Sequence, residues 1–232
     1  MNKEIHIKDL GTIEYPEALI CQEKLLQENV RIKLAKETNT TNYLLFCEHP
    51  LVYTLGKSGH IENLLITEQQ MEEQGIRFFP TNRGGDITFH GPGQVVAYPI
   101  LDLENFFTDI GKYLRNLEEV VIRTLAEYGI VGSRSAGETG VWLNPEDPTR
   151  ARKICAMGVR CSRWVTMHGL ALNVNTDLQY FNNIIPCGIA DKQVASMHAE
   201  LGREVPMAEV KEKMRRHFAD VFEAEMIADS LC

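Results

Sequence analysis

Three stretches of the chain set reactive side chains beside glycine or proline, where the backbone can bring them close to a ligand. The first is Arg83-Gly84-Gly85-Asp86-Ile87-Thr88-Phe89-His90-Gly91-Pro92-Gly93-Gln94. Its glycines admit positive φ and close approach of main-chain N–H groups to a bound molecule. Arg83 adds a cation and His90 a titratable ring. The order is neither GxxxxGK[ST] nor GxGxxG, so neither phosphate-binding motif is met, and a tight strand–turn–strand with a packed His90 would look the same. The second stretch runs from Lys153 to Arg160 (KICAMGVR) and is followed by His168-Gly169-Leu170-Ala171-Leu172-Asn173. A lysine among β-forming residues is costly to bury, and desolvation would lower its pKa toward that of a base. On an edge strand the same ammonium would simply sit in water. The third is Ile185-Pro186-Cys187-Gly188. Proline before and glycine after suit a thiol displayed on a sharp turn, and a thiolate is a strong nucleophile near neutral pH. A single cysteine is more often a small buried apolar residue, so residue types rank Cys187 first without deciding the matter. Cys47, two residues from His49, is a rival pair, while Cys155 and Cys161 lie in strand-like text and read as filler.

Elements must hold these residues in place. Leu19, Leu25, Leu26, Val30 and Leu34 fall near helical spacing and predict a helix over 16–36. Residues 42–56 are apolar, aromatic and broken by Pro50, which predicts two short strands or a strand and a loop. Thr67 with Gln70 forms a capping-box pattern for a short helix that Gly75 can end. A strand follows at 76–80, then two β-rich stretches within 86–103 around Gly91-Pro92-Gly93. Ile110, Leu114, Leu117, Val121, Leu125 and Tyr128 share one face, predicting a helix over 108–128 with Thr108 as cap and Gly129 as stop. The text is β-like again over 140–175, and a last helix follows Pro206 over 207–225. Strands cluster in mid-chain and helices are intermixed. That pattern predicts a single α/β (α+β) domain over 1–232, with a mixed, mostly antiparallel sheet flanked by helices and helical flanks at 1–41 and 202–232.

Composition narrows the class. The chain has 232 residues, with 44% hydrophobic and 24% charged residues, enough to bury a sizeable core. Its net charge of −8 argues against generic binding to nucleic acid or anionic membranes. Six scattered cysteines without a CxxC, and seven scattered histidines, support neither a disulfide framework nor a metal site. No uncharged run reaches the length of a membrane span. The first ten residues, MNKEIHIKDL, carry charges where an export signal is apolar, which points to the cytoplasm. Arg150, Arg152, Arg160 and Arg163 are candidates for a local basic patch facing acidic partners, or for a solvated loop. Cys155, close to Lys153, adds a second thiol that a probe would label.

Arg83 to Tyr98 resembles the signature of the lipoyl(octanoyl) transferases. Glu48 to Gly56, Glu138 to Trp142, Lys153 to Val159, His168 to Asn175 and Pro186-Cys187-Gly188 are similar to further stretches of that family, in order, so the resemblance covers about 48–197. It implies the catalytic fold shared with biotin and lipoate protein ligases. It implies transfer of an octanoyl or lipoyl group from acyl carrier protein to a lysine on lipoyl domains of 2-oxoacid dehydrogenases or the glycine-cleavage H protein, the first step of endogenous protein lipoylation. It carries a nucleophile onto Cys187 and its activating lysine onto Lys153. Substrate contacts fall on Arg83, Gly84, Gly85, Asp86, Ile87, Thr88, Phe89 and His90, on Ala156, Met157 and Gly158, and on Gly169, Leu170 and Ala171. Leucine and valine side chains over 169–172 would line an apolar slot. No metal, nucleotide or redox cofactor is implied. Competing readings are an ATP-dependent lipoate or biotin ligase, an amidotransferase between lipoyl domains, and a non-catalytic binder of carrier or lipoyl domains.

Overall fold

Apolar runs that alternate faces every second residue need cover on both sides, and the mid-chain strands find it. A computed structural model describes residues 2–37, 39–185 and 193–228. The main sheet contains β1 (Glu4–Thr12), β2 (Asn42–Glu48), β6 (Gln94–Ile100), β7 (Val141–Leu143), β8 (Arg152–Ser162), β9 (Val165–Asn173), β10 (Gln193–Val194) and β11 (Glu225–Ala228). Its order is β10-β8-β9-β6-β2-β1-β11, with β7 also paired to β8. The central pairs β2–β6, β6–β9 and β8–β9 are antiparallel, while β1 is parallel to both β2 and β11. The expected mixed, mostly antiparallel sheet is therefore present. A second sheet of order β4-β3-β5 joins β3 (Val52–Leu55), β4 (Arg77–Pro80) and β5 (Ile87–His90).

The period of two sorts side chains into two cores. Leu44, Phe46, Val95, Ala97 and Leu172 face α3 (Ile110–Ala126) and α5 (Met207–Phe222). Leu45, Cys47, Val96, Tyr98 and Ala171 face α1 (Tyr15–Leu34). A third cluster fills the small sheet with Tyr53, Ile87, Phe89, Phe181 and Ile184, and includes Met71 from α2 (Glu68–Glu73). The Thr67–Gln70 capping box forms as its spacing predicts. Two expectations shift. The cap of α3 is Asp109, whose carboxylate accepts from the Lys112 N–H, rather than Thr108. The last helix stops at Phe222, because Glu223 takes a left-handed φ of 51°.

Neither terminal flank is purely helical. Ile5 and Ile7 of β1 pair in register with Met226 and Ala228 of β11, so each flank adds a strand at one end of the main sheet. The charges in EIHIKDL obscure this in the sequence, since a half-exposed strand carries polar residues on every second position. The C-terminal helix is held by Phe222, 3% exposed, which meets Phe106, Phe107, Tyr113 and Phe218 ring to ring. Replacing Phe222 by alanine should cost about 3–5 kcal/mol. Urea denaturation of the variant beside the parent chain reads this directly, and a loss below 1 kcal/mol would show that the aromatic cluster is not what docks α5.

Candidate active site

A cavity of about 520 Å³ lies where the two sheets meet. One wall is backbone and small side chains of β8 and β9: Ala156, Met157, Gly158, Val159, Gly169, Leu170 and Ala171. The loop before β5 supplies another with Arg83, Gly84, Gly85 and Asp86, continued by Ile87, Thr88 and His90 of β5. Gln94, Val96 and Tyr98 of β6 and Tyr15 of α1 close a third side. Residues 137–139, Trp142, Lys153, Gln193 and Val194 stand at a further wall. Most of the lining is apolar, which suits a hydrocarbon chain.

Glycine permits this arrangement at one close approach. Gly84 donates its N–H to the Val159 carbonyl at 2.9 Å, and a Cβ on Gly158 would lie 2.6 Å from the Gly84 oxygen. Any larger residue at 158 would lift the loop off the strand. Arg83, 8% exposed, turns its guanidinium into the protein, donating to Thr54 O at 2.7 Å, Thr54 Oγ1 at 2.9 Å and Gly84 O at 3.0 Å. Asp86 is fixed in the same way: it accepts from the N–H groups of Ile87 and His60 and from the Asn63 side chain.

Two imidazoles line the cavity and both are kept neutral. Gln94 donates from Nε2 to Phe89 O and Asn173 Oδ1, so its Oε1 faces His90 and accepts from Nδ1 at 2.8 Å. Burial, then the neighbouring His49, push the His90 pKa down to about 3. His168 meets Asn82 Oδ1 through Nε2 at 2.7 Å, and Asn82 in turn donates to Glu23. Burial, then Arg83, push His168 down to about 3 as well. Lys153 stands elsewhere, on β8, its Nζ 4.6 Å from the centre of the buried Trp142 ring, a cation–π arrangement.

All the described residues expected at the site line the cavity except Phe89. Phe89 packs instead between Tyr53, Tyr180 and Phe181, while Ile87, Thr88 and His90 line the cavity. Leu172 likewise belongs to the α3 core, so only Leu170 and Ala171 serve the expected slot over 169–172. Cys187, with Pro186 and Gly188, lies outside the described residues. The rival Cys47 is fully buried and burial pushes its thiol up. Its partner His49 sits 2.7 Å from the Tyr98 hydroxyl and 3.6 Å from the sulfur. Cys155 is also fully buried, and burial pushes its thiol up, which makes it a poor target for a thiol probe, contrary to the sequence expectation. Three of the four arginines are engaged separately: Arg152 pairs with Glu200, Arg160 with Glu23, and Arg163 lines a separate hollow with Lys36 and Trp164. Tyr15, Gln94, Tyr98, Trp142 and His168 line the cavity beyond the residues that the sequence pattern assigns to it. Tyr15 comes from the N-terminal flank and carries no sequence signal. Among the described residues, no cluster of three or more His, Cys, Asp or Glu could hold a metal, and no helix is long and apolar enough to cross a membrane.

Residues 14–219 match the family model described as the lipoyl protein ligase A/B catalytic domain. The chain belongs to that family. It is 60% identical to an octanoyltransferase of Flavobacterium johnsoniae, covering 98% of this chain and 100% of that one. It is 59% identical to an octanoyltransferase of Christiangramia forsetii over 97% and 99% of the two chains. Its activity is octanoyl transfer in protein lipoylation, an acyltransferase reaction. Solved structures extend the likeness in fold. A bipartite lipoate protein ligase of Thermoplasma acidophilum superposes with a TM-score of 0.73 at 18% identity, covering 100% and 88% of the chains. A lipoate-protein ligase A bound with ATP gives 0.71 at 16%, covering 100% and 90%. The biotin protein ligase of Aquifex aeolicus gives 0.52 at 15%, covering 96% and 71%.

The neutral histidines of this acyltransferase make its stability depend on pH. Each binds a proton in the unfolded chain near 6.5 but in the folded one only near 3. Stability is therefore full above pH 6.5 and lost as pH falls toward 3. Each histidine should cost roughly 2 kcal/mol between pH 7 and pH 5. Urea denaturation at both values, with His168→Asn alongside, checks this: the variant should lose less on acidification than the parent, and equal losses would refute a buried neutral His168.

Proposed function

We propose that the octanoyl group passes through a thioester on Cys187, with Lys153 moving the protons. In this reading Cys187 reacts as its thiolate, with Lys153 either taking the thiol proton or, already protonated, balancing the thiolate charge, and the thiolate attacks the octanoyl thioester of an acyl carrier protein. The S–acyl bond to the enzyme forms, the carrier thiolate leaves, and it recovers the proton from Lys153. The amine of a target lysine on a lipoyl domain then attacks the acyl-enzyme. An amide forms, Cys187 leaves as thiolate, and the amine's proton returns to it by way of Lys153. The acyl-enzyme keeps thioester reactivity, so the sequence of steps is complete without nucleotide activation.

The observation that carries this reading is the position of Lys153. It shares one cavity with the glycine-permitted wall of β8 and β9 and with the Arg83–Thr88 loop, so a proton-handling amine stands beside an apolar slot. Met157, Leu170 and Ala171 offer that slot to the octanoyl chain. The turn after His90 is a weaker source of oxyanion contacts than its glycines suggest, because the Gly93 N–H is already given to Glu48 Oε2 at 2.9 Å. The donor is an octanoylated acyl carrier protein and the acceptors are lipoyl domains of 2-oxoacid dehydrogenases and the glycine-cleavage H protein, with the cytoplasm as the compartment.

Intact mass spectrometry after mixing with octanoyl-carrier protein, without ATP, tests the route. The parent chain should gain one octanoyl group and pass it to a lipoyl domain, and Cys187→Ala should gain none. Lys153→Ala should acylate itself at least about 10²-fold more slowly. Acylation of Cys187→Ala at the parental rate would overturn the thioester, and transfer that appears only with ATP would replace it with an adenylate route.

A further inference from the structure

Glu118 is a carboxylate with no exposed surface, on the face of α3 that otherwise buries Tyr113, Leu117, Val121 and Leu125. A charge in such surroundings persists only when its oxygens are matched by donors. Both are. Arg115 Nη1 at 2.9 Å and Arg134 Nε at 3.1 Å meet Oε2, while the backbone N–H of Gly140 donates to Oε1 at 3.0 Å. Arg134 is itself held by the Arg115 carbonyl and by Glu119. The two arginines compensate charge. The third donor does something different, because Gly140 joins the cavity wall at 137–139 to the start of β7.

Gly140 is pressed onto β8 beside Lys153. Its φ of 119° is open to glycine, and a Cβ there would lie 2.6 Å from the Cys155 carbonyl oxygen and 3.6 Å from Lys153 Cε. Immediately after it, Val141 pairs with Cys155 and Trp142 with Lys153, across a register shift between the two. That register brings the Trp142 ring to 4.6 Å from Lys153 Nζ. The line of contacts is continuous: Glu118 carboxylate, Gly140 N–H, register of β7 on β8, Trp142 ring, Lys153 amine.

We propose that Glu118 is a positioning residue for Lys153, acting through Gly140 and Trp142 and touching no substrate. This rests on the reading that Lys153 moves the protons of octanoyl transfer. The buried carboxylate is there to fix one main-chain N–H, and with it the placement of the amine against the acyl group.

The test compares Glu118→Met, Glu118→Gln and Arg134→Met with the parent chain. Transfer kinetics are measured at saturating octanoyl-carrier protein and normalised to the folded fraction from circular dichroism. In parallel, labelling of Lys153 by N-hydroxysuccinimidyl acetate is read by peptide mass spectrometry relative to the exposed Lys24 on α1. Glu118→Met should lower kcat by about 10²-fold, with KM changed less than about threefold, since a small misplacement of a reacting group carries a penalty of that order. Its Lys153 to Lys24 labelling ratio should move with it. Glu118→Gln keeps one oxygen for Gly140 and should fall between parent and Glu118→Met. A merely structural role would lower the melting temperature but leave kcat per folded molecule and the labelling ratio at parental values, and that result overturns the proposal. Should Glu118→Met not fold, a parental ratio in both Glu118→Gln and Arg134→Met overturns it equally. Lys153→Ala separates the two levels. If it transfers at the parental rate, the assignment of Lys153 fails; if it is inactive while the Glu118 variants are unimpaired, only the positioning role fails.

Discussion

A buried guanidinium sets the geometry on which the cavity depends. Arg83 is nearly inaccessible and donates to the main chain and hydroxyl of Thr54 on β3 and to the Gly84 carbonyl. A cation taken out of water at that depth must be surrounded by acceptors, so the loop that carries it has little freedom. The next residue, Gly84, then donates to Val159 on β8. The small sheet, the loop and the main sheet are joined through two consecutive residues, and the space left between them is the cavity. Gly56 and Gly158 are the positions at which this junction excludes a side chain: a Cβ on the former would meet Arg83 Nη1 at 2.8 Å, and one on the latter the Gly84 oxygen.

The wall at Lys153 rests on a charge of opposite sign. Glu118 lies within the α3 core and grips Gly140, as Arg83 lies within the sheet junction and grips Thr54. In both cases a charged side chain holds a main-chain group in or beside the cavity wall, Arg83 the Gly84 carbonyl and Glu118 the Gly140 N–H next to residues 137–139. Such anchors stabilise poorly per residue, since desolvation offsets much of the attraction. They are directional, however, where apolar packing is not, and a transfer site needs direction more than it needs a few additional kcal/mol.

How much of this can be read from the sequence follows from what each feature depends on. Strand pairs at 42–55 and 87–100, and the long helix over 110–126, depend on periodicity and turn residues, which are local. The capping box at Thr67 is local too. The parallel pairing of β1 with β11 depends on partners more than 200 positions apart and has no local mark. The site divides in the same way. Gly158 and Gly169 stand in glycine-bearing β text, yet nothing near them says that one meets Gly84 and the other the carbonyl of Ala97. Phe89 lies inside the run of expected ligand contacts, yet its ring leaves the cavity for Tyr53, Tyr180 and Phe181, partners brought together only by the fold. Glu118 is easily passed over, because a glutamate on an amphipathic helix is ordinarily on the solvent face, although its spacing from Leu114, Val121 and Leu125 puts it in the apolar stripe. Only the packing of α3 shows it buried.

A fold held in common with ligases at 16–18% identity does not by itself choose a chemistry. The disposition of charge within the cavity says more. Arg83 and Asp86 are ionised groups at its edge, and the bonds of both run into protein: Arg83 to Thr54 and Gly84, Asp86 to the N–H groups of Ile87 and His60 and the Asn63 amide. His90 and His168 are kept uncharged, in part by the positive field of Arg83 itself. The wall between them is glycine, alanine, leucine and methionine. An octanoyl chain is neutral and has no polar atoms beyond its carbonyl, so it can displace water from such a wall without leaving an ion unsolvated. The charges of Arg83 and Asp86 are consumed in building this wall, and the space beside it is suited to hydrocarbon.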